Sequence, residues 1–203
     1  KICRCSSTKM KIAVLHRYPP DQVTGTNASF LDFLYKLSKN NKVYYLTYKS
    51  KKKGAKFISS VEYVHLPFSF NRGYVIDKII KTWLWIFLSP LYVKYLQINH
   101  KIDLVYCDDS VPIYGFLIKL FCPSIKVVIR LGDLQTAYSL WDNHKTLFDF
   151  SQKIESFMWK KMDGIVSISK PFGEYIVKMG VKSSNVFVVE ESINLDQKIN
   201  PVI

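Results

Sequence analysis

The residues able to do chemistry fall at the ends of apolar runs. Arg130-Leu131-Gly132-Asp133 closes one such run, and an aspartate there can orient a hydroxyl or deprotonate it as a general base. The same aspartate can equally cap the following turn, and Arg130 can either meet a phosphate or pair with Asp133. Upstream, Gly25-Thr26-Asn27 joins the first apolar run to an amphipathic stretch. A glycine lets backbone approach a ligand, and the helix N-terminus beyond it offers unpaired N–H groups to an anion. A plain turn capped by Thr26 uses the same residues. Ser169 precedes Pro171 at the end of a further run, which suits a helix cap first and a ligand second. Glu155 lies on an amphipathic stretch, where a glutamate is ordinarily a surface residue.

Several chemistries are excluded by what is missing. The chain has no GxxxxGK[ST] and no GxGxxG, which argues against a self-contained ATPase or dinucleotide enzyme. His16, His65, His100 and His144 are scattered without metal-ligand spacing, so no metal site is expected. Asp108-Asp109 follows a run without the gap of an Asp-x-Asp metal pair, and reads as a pair of turn or acceptor-loop residues. Cys107 and Cys122 lie in apolar segments as small core residues, and Cys3-Arg4-Cys5 has no metal-binding partners nearby, which together point to a reducing compartment.

The elements that must position these groups alternate as short apolar strands and amphipathic helices. Strands are expected at 11–16, 42–48, 61–66, 103–107, 126–130, 165–169 and 185–189, and helices at 27–39, 74–100, 111–121, 146–162 and 171–179. Pro90 should break or kink the second helix. This alternation specifies an α/β fold, a single Rossmann-like doubly wound domain over residues 10–203 with a mostly parallel sheet. Ligands of such sheets bind beyond the carboxyl ends of the strands, which selects the loops after His16, Leu66, Cys107, Arg130, Ser169 and Val189. Residues 1–9 precede the first strand as a disordered or spurious extension, and no apolar secretory segment follows the basic start.

Charge is distributed unevenly. Of a formal net charge of +13, residues 1–101 carry +14 and residues 102–203 carry −1. The densest basic run is Lys49 to Lys56, with Lys51, Lys52 and Lys53 at its centre. A field of this sign attracts a phosphate-rich surface or an acidic glycan, while no nucleic-acid-binding signature accompanies it. The stretch around Trp83 and Trp85 is too short between Lys81 and Lys94 to span a bilayer. It packs on the sheet or, with the lysines, contacts an anionic membrane surface.

The most specific stretch runs from Glu155 to Pro201. It holds Glu155, Met162-Asp163 before a strand ending at Ser169, then Gly180, the strand Val186–Val189 and Glu191-Ser192-Ile193-Asn194. This resembles the end of the N-terminal domain of family 4 (group 1) glycosyltransferases with the GT-B fold, and Gly25-Thr26 stands where that family carries a Gly-Gly loop. The resemblance implies a retaining transferase that moves sugar from a UDP- or GDP-sugar to a lipid-linked or glycan acceptor, in polysaccharide or glycolipid biosynthesis. It sets Gly25, Thr26 and Asn27 on the donor side, Arg130, Glu155 and Ser169 toward the acceptor, and Asp133 in the catalytic role. It also implies a separate C-terminal donor-binding domain, with a Glu pair seven residues apart, supplied in cis or trans. On that reading the chain alone is inactive, cytoplasmic and peripheral on the membrane, with no bound cofactor. The other reading is a non-catalytic module that docks on a membrane or a partner subunit.

Overall fold

The computed structural model describes residues 9–19, 27–49, 58–68, 75–108, 111–132 and 145–189. Within them seven strands form one sheet: β1 (Lys11–Leu15), β2 (Lys42–Tyr48), β3 (Val61–Leu66), β4 (Leu104–Asp108), β5 (Lys126–Leu131), β6 (Gly164–Ser167) and β7 (Val186–Val188). Their order is β3-β2-β1-β4-β5-β6-β7 and every pairing is parallel. Five helices connect them among the described residues: α1 (Asn27–Asn40), α2 (Val75–His100), α3 (Pro112–Phe121), α4 (Lys145–Trp159) and α5 (Lys170–Lys178). The Rossmann-like α/β domain expected from the sequence is therefore present.

Strand side chains alternate between faces, and the two faces are covered differently. Leu15, Leu46, Cys107, Ile129 and Leu131 share a cluster with Trp85 and Val93 of α2, Ile118 of α3, Trp159 of α4 and Ile176 of α5. Ile12, Val14, Val43, Tyr45 and Tyr106 turn the other way and meet Phe30 and Leu34 of α1. Right-handed crossovers dictate this split. The chain steps from β1 outward to β2 through α1, then returns and moves the opposite way through α2, α3, α4 and α5. The reversal lies between β1 and β4, which makes their carboxyl ends the topological switch point.

Local chemistry fixes the joints. Asp163, just before β6, accepts hydrogen bonds from the Val127 amide at 2.7 Å and from Lys119 Nζ at 2.9 Å. The most family-like aspartate thus clamps the amino ends of β5 and β6. A Cβ at Gly115 would meet Ile129 Cγ2 at 3.0 Å and Met162 Sδ at 3.2 Å, so glycine lets α3 lie close on β5. Gly180 takes φ +90° just past α5, a conformation glycine adopts at little cost.

Three expectations change. Pro90 does not end a helix, because α2 runs through it from Val75 to His100. Burial of Ile86, Pro90, Val93 and Leu96 against the sheet outweighs the lost backbone bond. Trp85 is not membrane-facing: it is 1% exposed, packs at 5.1 Å from the Tyr48 ring, and belongs to the core. Trp83, two positions earlier, is 52% exposed. The strand expected to reach Ser169 ends at Ser167, whose hydroxyl donates to the Ser169 carbonyl at 2.8 Å. Lys51, Lys52 and Lys53, and all of residues 1–9 except Lys9, lie outside the described residues.

Trp85→Ala is expected to destabilise the domain by about 3–5 kcal/mol as a core cavity. Trp83→Ala is expected to stay within about 0.5 kcal/mol of the parent. Urea unfolding followed by circular dichroism measures both, and equal losses would overturn the assignment of the two faces.

Candidate functional site

At the switch point the register carries three ionisable side chains into one row. Leu15 of β1 stands beside Cys107 of β4, so His16 follows in line with Asp108, and Asp108 is itself registered with Arg130 of β5. Arg130 donates through a terminal guanidinium nitrogen to Asp108 Oδ1 at 2.8 Å, and His16 Nε2 lies 3.8 Å from Asp108 Oδ2. Asp108 is 8% exposed and His16 9%, so the pair sits at the buried end of the row. A buried anion is stable only when paired, and here it has a guanidinium on one side and an imidazole on the other.

The imidazole is oriented from its far side. His16 Nδ1 is 2.9 Å from the Tyr18 carbonyl oxygen and 3.0 Å from the Tyr45 hydroxyl. A carbonyl only accepts, so this geometry assigns the proton to Nδ1. The Tyr45 hydroxyl donates to the same Tyr18 carbonyl at 2.9 Å. Burial holds that phenol well above its ordinary pKa, with smaller opposing and reinforcing effects from Thr47 and Asp108, so it remains a donor. Phe30 of α1 packs against the imidazole at 4.6 Å between ring centroids. Nε2 is thereby left facing the carboxylate. With the proton on Nδ1, the Nε2 lone pair is the ring's acceptor, and its 3.8 Å contact with Asp108 becomes an ion pair only when Nε2 is also protonated.

The structure separates some residues that the sequence grouped. Arg130 lies on the α1 face of the sheet with Asp108. Glu155 is on α4, which packs against the opposite face, and is 6% exposed instead of lying at the surface. Its neighbour Ser156 donates to the Met179 carbonyl at 2.8 Å, beyond the end of α5 that is distant from Ser169. Ser169 occupies the N-cap position of α5 with extended backbone (φ −150°, ψ 153°), yet its side chain makes no capping bond. Its carbonyl instead accepts from the Gly173 amide at 3.0 Å. Asn27 begins α1. Gly25, Thr26 and Asp133 lie outside the described residues, and Arg130 makes an ion pair with Asp108. His16 is the residue that sequence reasoning missed, and Asp108, expected as a turn or acceptor-loop residue, is found as its partner. Their signal was position, since each sits at the carboxyl end of a strand flanking the reversal.

No protein-family model and no curated protein matches the sequence. Solved structures do match its fold. Sucrose-phosphate synthase from Thermosynechococcus elongatus superposes with a TM-score of 0.62 at 11% identity, over 92% of this chain and 49% of that one. A glycosyltransferase from Rickettsia africae gives 0.54 at 9% identity, over 92% and 44%. Anabaena HepE in complex with UDP-glucose gives 0.53 at 12% identity, over 91% and 44%. The chain thus has the fold of one half of a GT-B glycosyltransferase and spans less than half the length of each of these structures.

A double-mutant cycle on Asp108→Asn and Arg130→Gln tests the row. The expected coupling is about 1–3 kcal/mol, as for a hydrogen bond between charged groups out of full solvent contact. Additive losses would show that the two side chains act independently.

Proposed function

We propose that the chain is the acceptor-side half of a glycosyltransferase that uses a UDP- or GDP-sugar and a lipid-linked or glycan acceptor. The observation that carries this reading is the His16–Asp108–Arg130 row at the switch point of the sheet. Fold likeness at this identity supports an architecture and not a reaction, so the chemistry must come from the row.

In this reading the acceptor oxygen bonds to the anomeric carbon as that carbon's bond to the nucleoside diphosphate breaks. The diphosphate leaves with the bonding electron pair, and the acceptor's proton passes to His16 Nε2. Asp108 stabilises the imidazolium that forms and keeps Arg130 in place. The guanidinium then faces phosphate, either on the donor or on the acceptor. Gly25 and Thr26 fall in sequence between β1 and α1, Asn27 begins α1, and the three are assigned to the donor phosphates. Asp133 follows Arg130 by three positions and is assigned to acceptor orientation, with Ser169 further along the same edge. Glu155 is given a structural role beneath α4. The remaining donor contacts come from a second domain, so this half alone turns over little or nothing. No metal or cofactor takes part in the proposed step.

The full-length gene product, supplied with UDP- and GDP-sugars and a lipid extract, is expected to transfer label to an extractable product. His16→Ala and Asp108→Asn should each lower kcat/KM by about 10²–10⁴-fold, the range of a general base. Lys36→Ala, on the outer side of α1, should leave it unchanged. Wild-type turnover in His16→Ala would remove the base from the mechanism. Binding of nucleotide-sugar without any transfer would favour the non-catalytic module.

A further inference from the structure

Only one side of α2 is accounted for by the core. Ile80, Leu84, Phe87, Leu91, Tyr95 and Ile98 are all exposed, Phe87 at 58% and Ile98 at 65%. They recur every three or four residues and make an unbroken stripe along a helix of 26 residues, about 39 Å long. Trp83 lies beside the stripe with its ring stacked on Phe87 at 6.0 Å. The next helices continue the surface. Leu120 and Phe121 at the end of α3 are exposed, as are Phe150, Ile154 and Phe157 on α4, and Phe157 meets Phe116 of α3 edge-on at 5.7 Å. All three helices lie in one layer on one face of the sheet, so their outward sides form a single apolar surface. Folded proteins seldom leave so many large apolar side chains together in water.

The charges around this surface choose its partner. Lys81 is matched by Asp77 at 2.6 Å and Lys119 by Asp163 at 2.9 Å. On α2, on α4 and in the turns that follow them, exposed Lys94, Lys101, Lys153, Lys160 and Lys161 stand against exposed Asp103 and Asp149. Lys161 Nζ reaches over the Phe157 ring at 5.4 Å, which keeps a cation at the edge of the apolar area. A second copy of a chain with a formal net charge of +13 would be repelled from this surface. An anionic sheet of headgroups would be attracted to it. Among the described residues no helix is long and apolar enough to cross a membrane. A helix layer with aromatic and aliphatic side chains outward and lysines at the margin instead suits the plane of the interface.

We propose that the outer surface of α2, α3 and α4 is a docking face for an anionic bilayer, with Trp83, Phe87 and Leu91 entering the headgroup boundary. The proposal stands independently of the transferase reading, since it concerns a face of the domain and not the strand ends. It replaces a contact through Trp85 with one through the side of α2 that Trp85 does not share.

Flotation of the full chain with phosphatidylcholine vesicles, with and without phosphatidylglycerol, tests it. The chain is expected to float with the anionic vesicles, less so at high salt, and brominated lipid should quench fluorescence that Trp83→Phe removes. Phe87→Ser with Leu91→Ser should weaken partitioning by about tenfold or more while the circular dichroism spectrum is kept. Lys153→Glu with Lys160→Glu and Lys161→Glu should remove the preference for phosphatidylglycerol. Failure to float with either vesicle would overturn the proposal. So would a lipid-free dimer that the Phe87 and Leu91 substitutions dissociate, because the surface would then belong to a protein.

Discussion

A carboxylate buried at the end of β4 sets the terms for everything around it. Asp108 is held between His16 and Arg130, and neither contact exists unless β1, β4 and β5 lie side by side in their observed register. A slip of one residue in any of the three would turn its charged side chain to the other face. The opposite face is the apolar cluster under the helix layer, where an ionised group would be stranded. The same imidazole that completes the row is also wedged against Phe30 and Tyr45, so α1 is docked by the groups that orient the site. Packing of the α1 face and the chemistry at its upper edge are therefore one structure.

The other face follows a different rule. Four helices cover it, and α2 carries apolar residues on both of its sides. A helix of that kind is normally enclosed by protein or lies against lipid. Trp83 and Trp85 show how the two sides divide. Two positions along a helix amount to roughly 200° of rotation, so these residues cannot share a surface. One is held beside Tyr48 in the core, and the other stacks on Phe87 outside it. A reading by composition alone takes the two tryptophans together, whereas the helical period separates them.

The strands and helices were legible because each is announced locally. Lys42–Tyr48 and Val61–Leu66 fall where their apolar runs begin and end, and Pro171 and Gly180 bracket α5 as helix termini do. Pro90 does not break its helix, because its effect depends on what that helix buries, a tertiary quantity. The row was harder still. His16 and Asp108 are 92 positions apart and meet only through strand register, which no short window of sequence contains. The rule for doubly wound sheets selects the loops that follow them, and Asp108 reads as a turn or acceptor-loop residue, but nothing local marks His16 as its partner. Asp163 fills a place in the family-like stretch, and its bonds to Val127 and Lys119 make it a clamp at the amino ends of the strands.

The row is also polarised in depth. The Asp108 side chain is 5% exposed and that of Arg130 is 27%, so the anion is held inside and the cation is nearer solvent. An arrangement built only for stability gains little from such an ordering, because replacing a buried ion pair with apolar residues is often neutral or favourable. An arrangement that must present a fixed guanidinium and an oriented imidazole at one edge gains directly from it. The chain shares its fold with one half of longer proteins at 9–12% identity. At that distance apolar periodicity alone is enough to keep the sheet, and nothing in the sheet demands charge at its switch point. Three ionisable residues meet there, joined by one buried aspartate, where apolar side chains would serve the sheet as well.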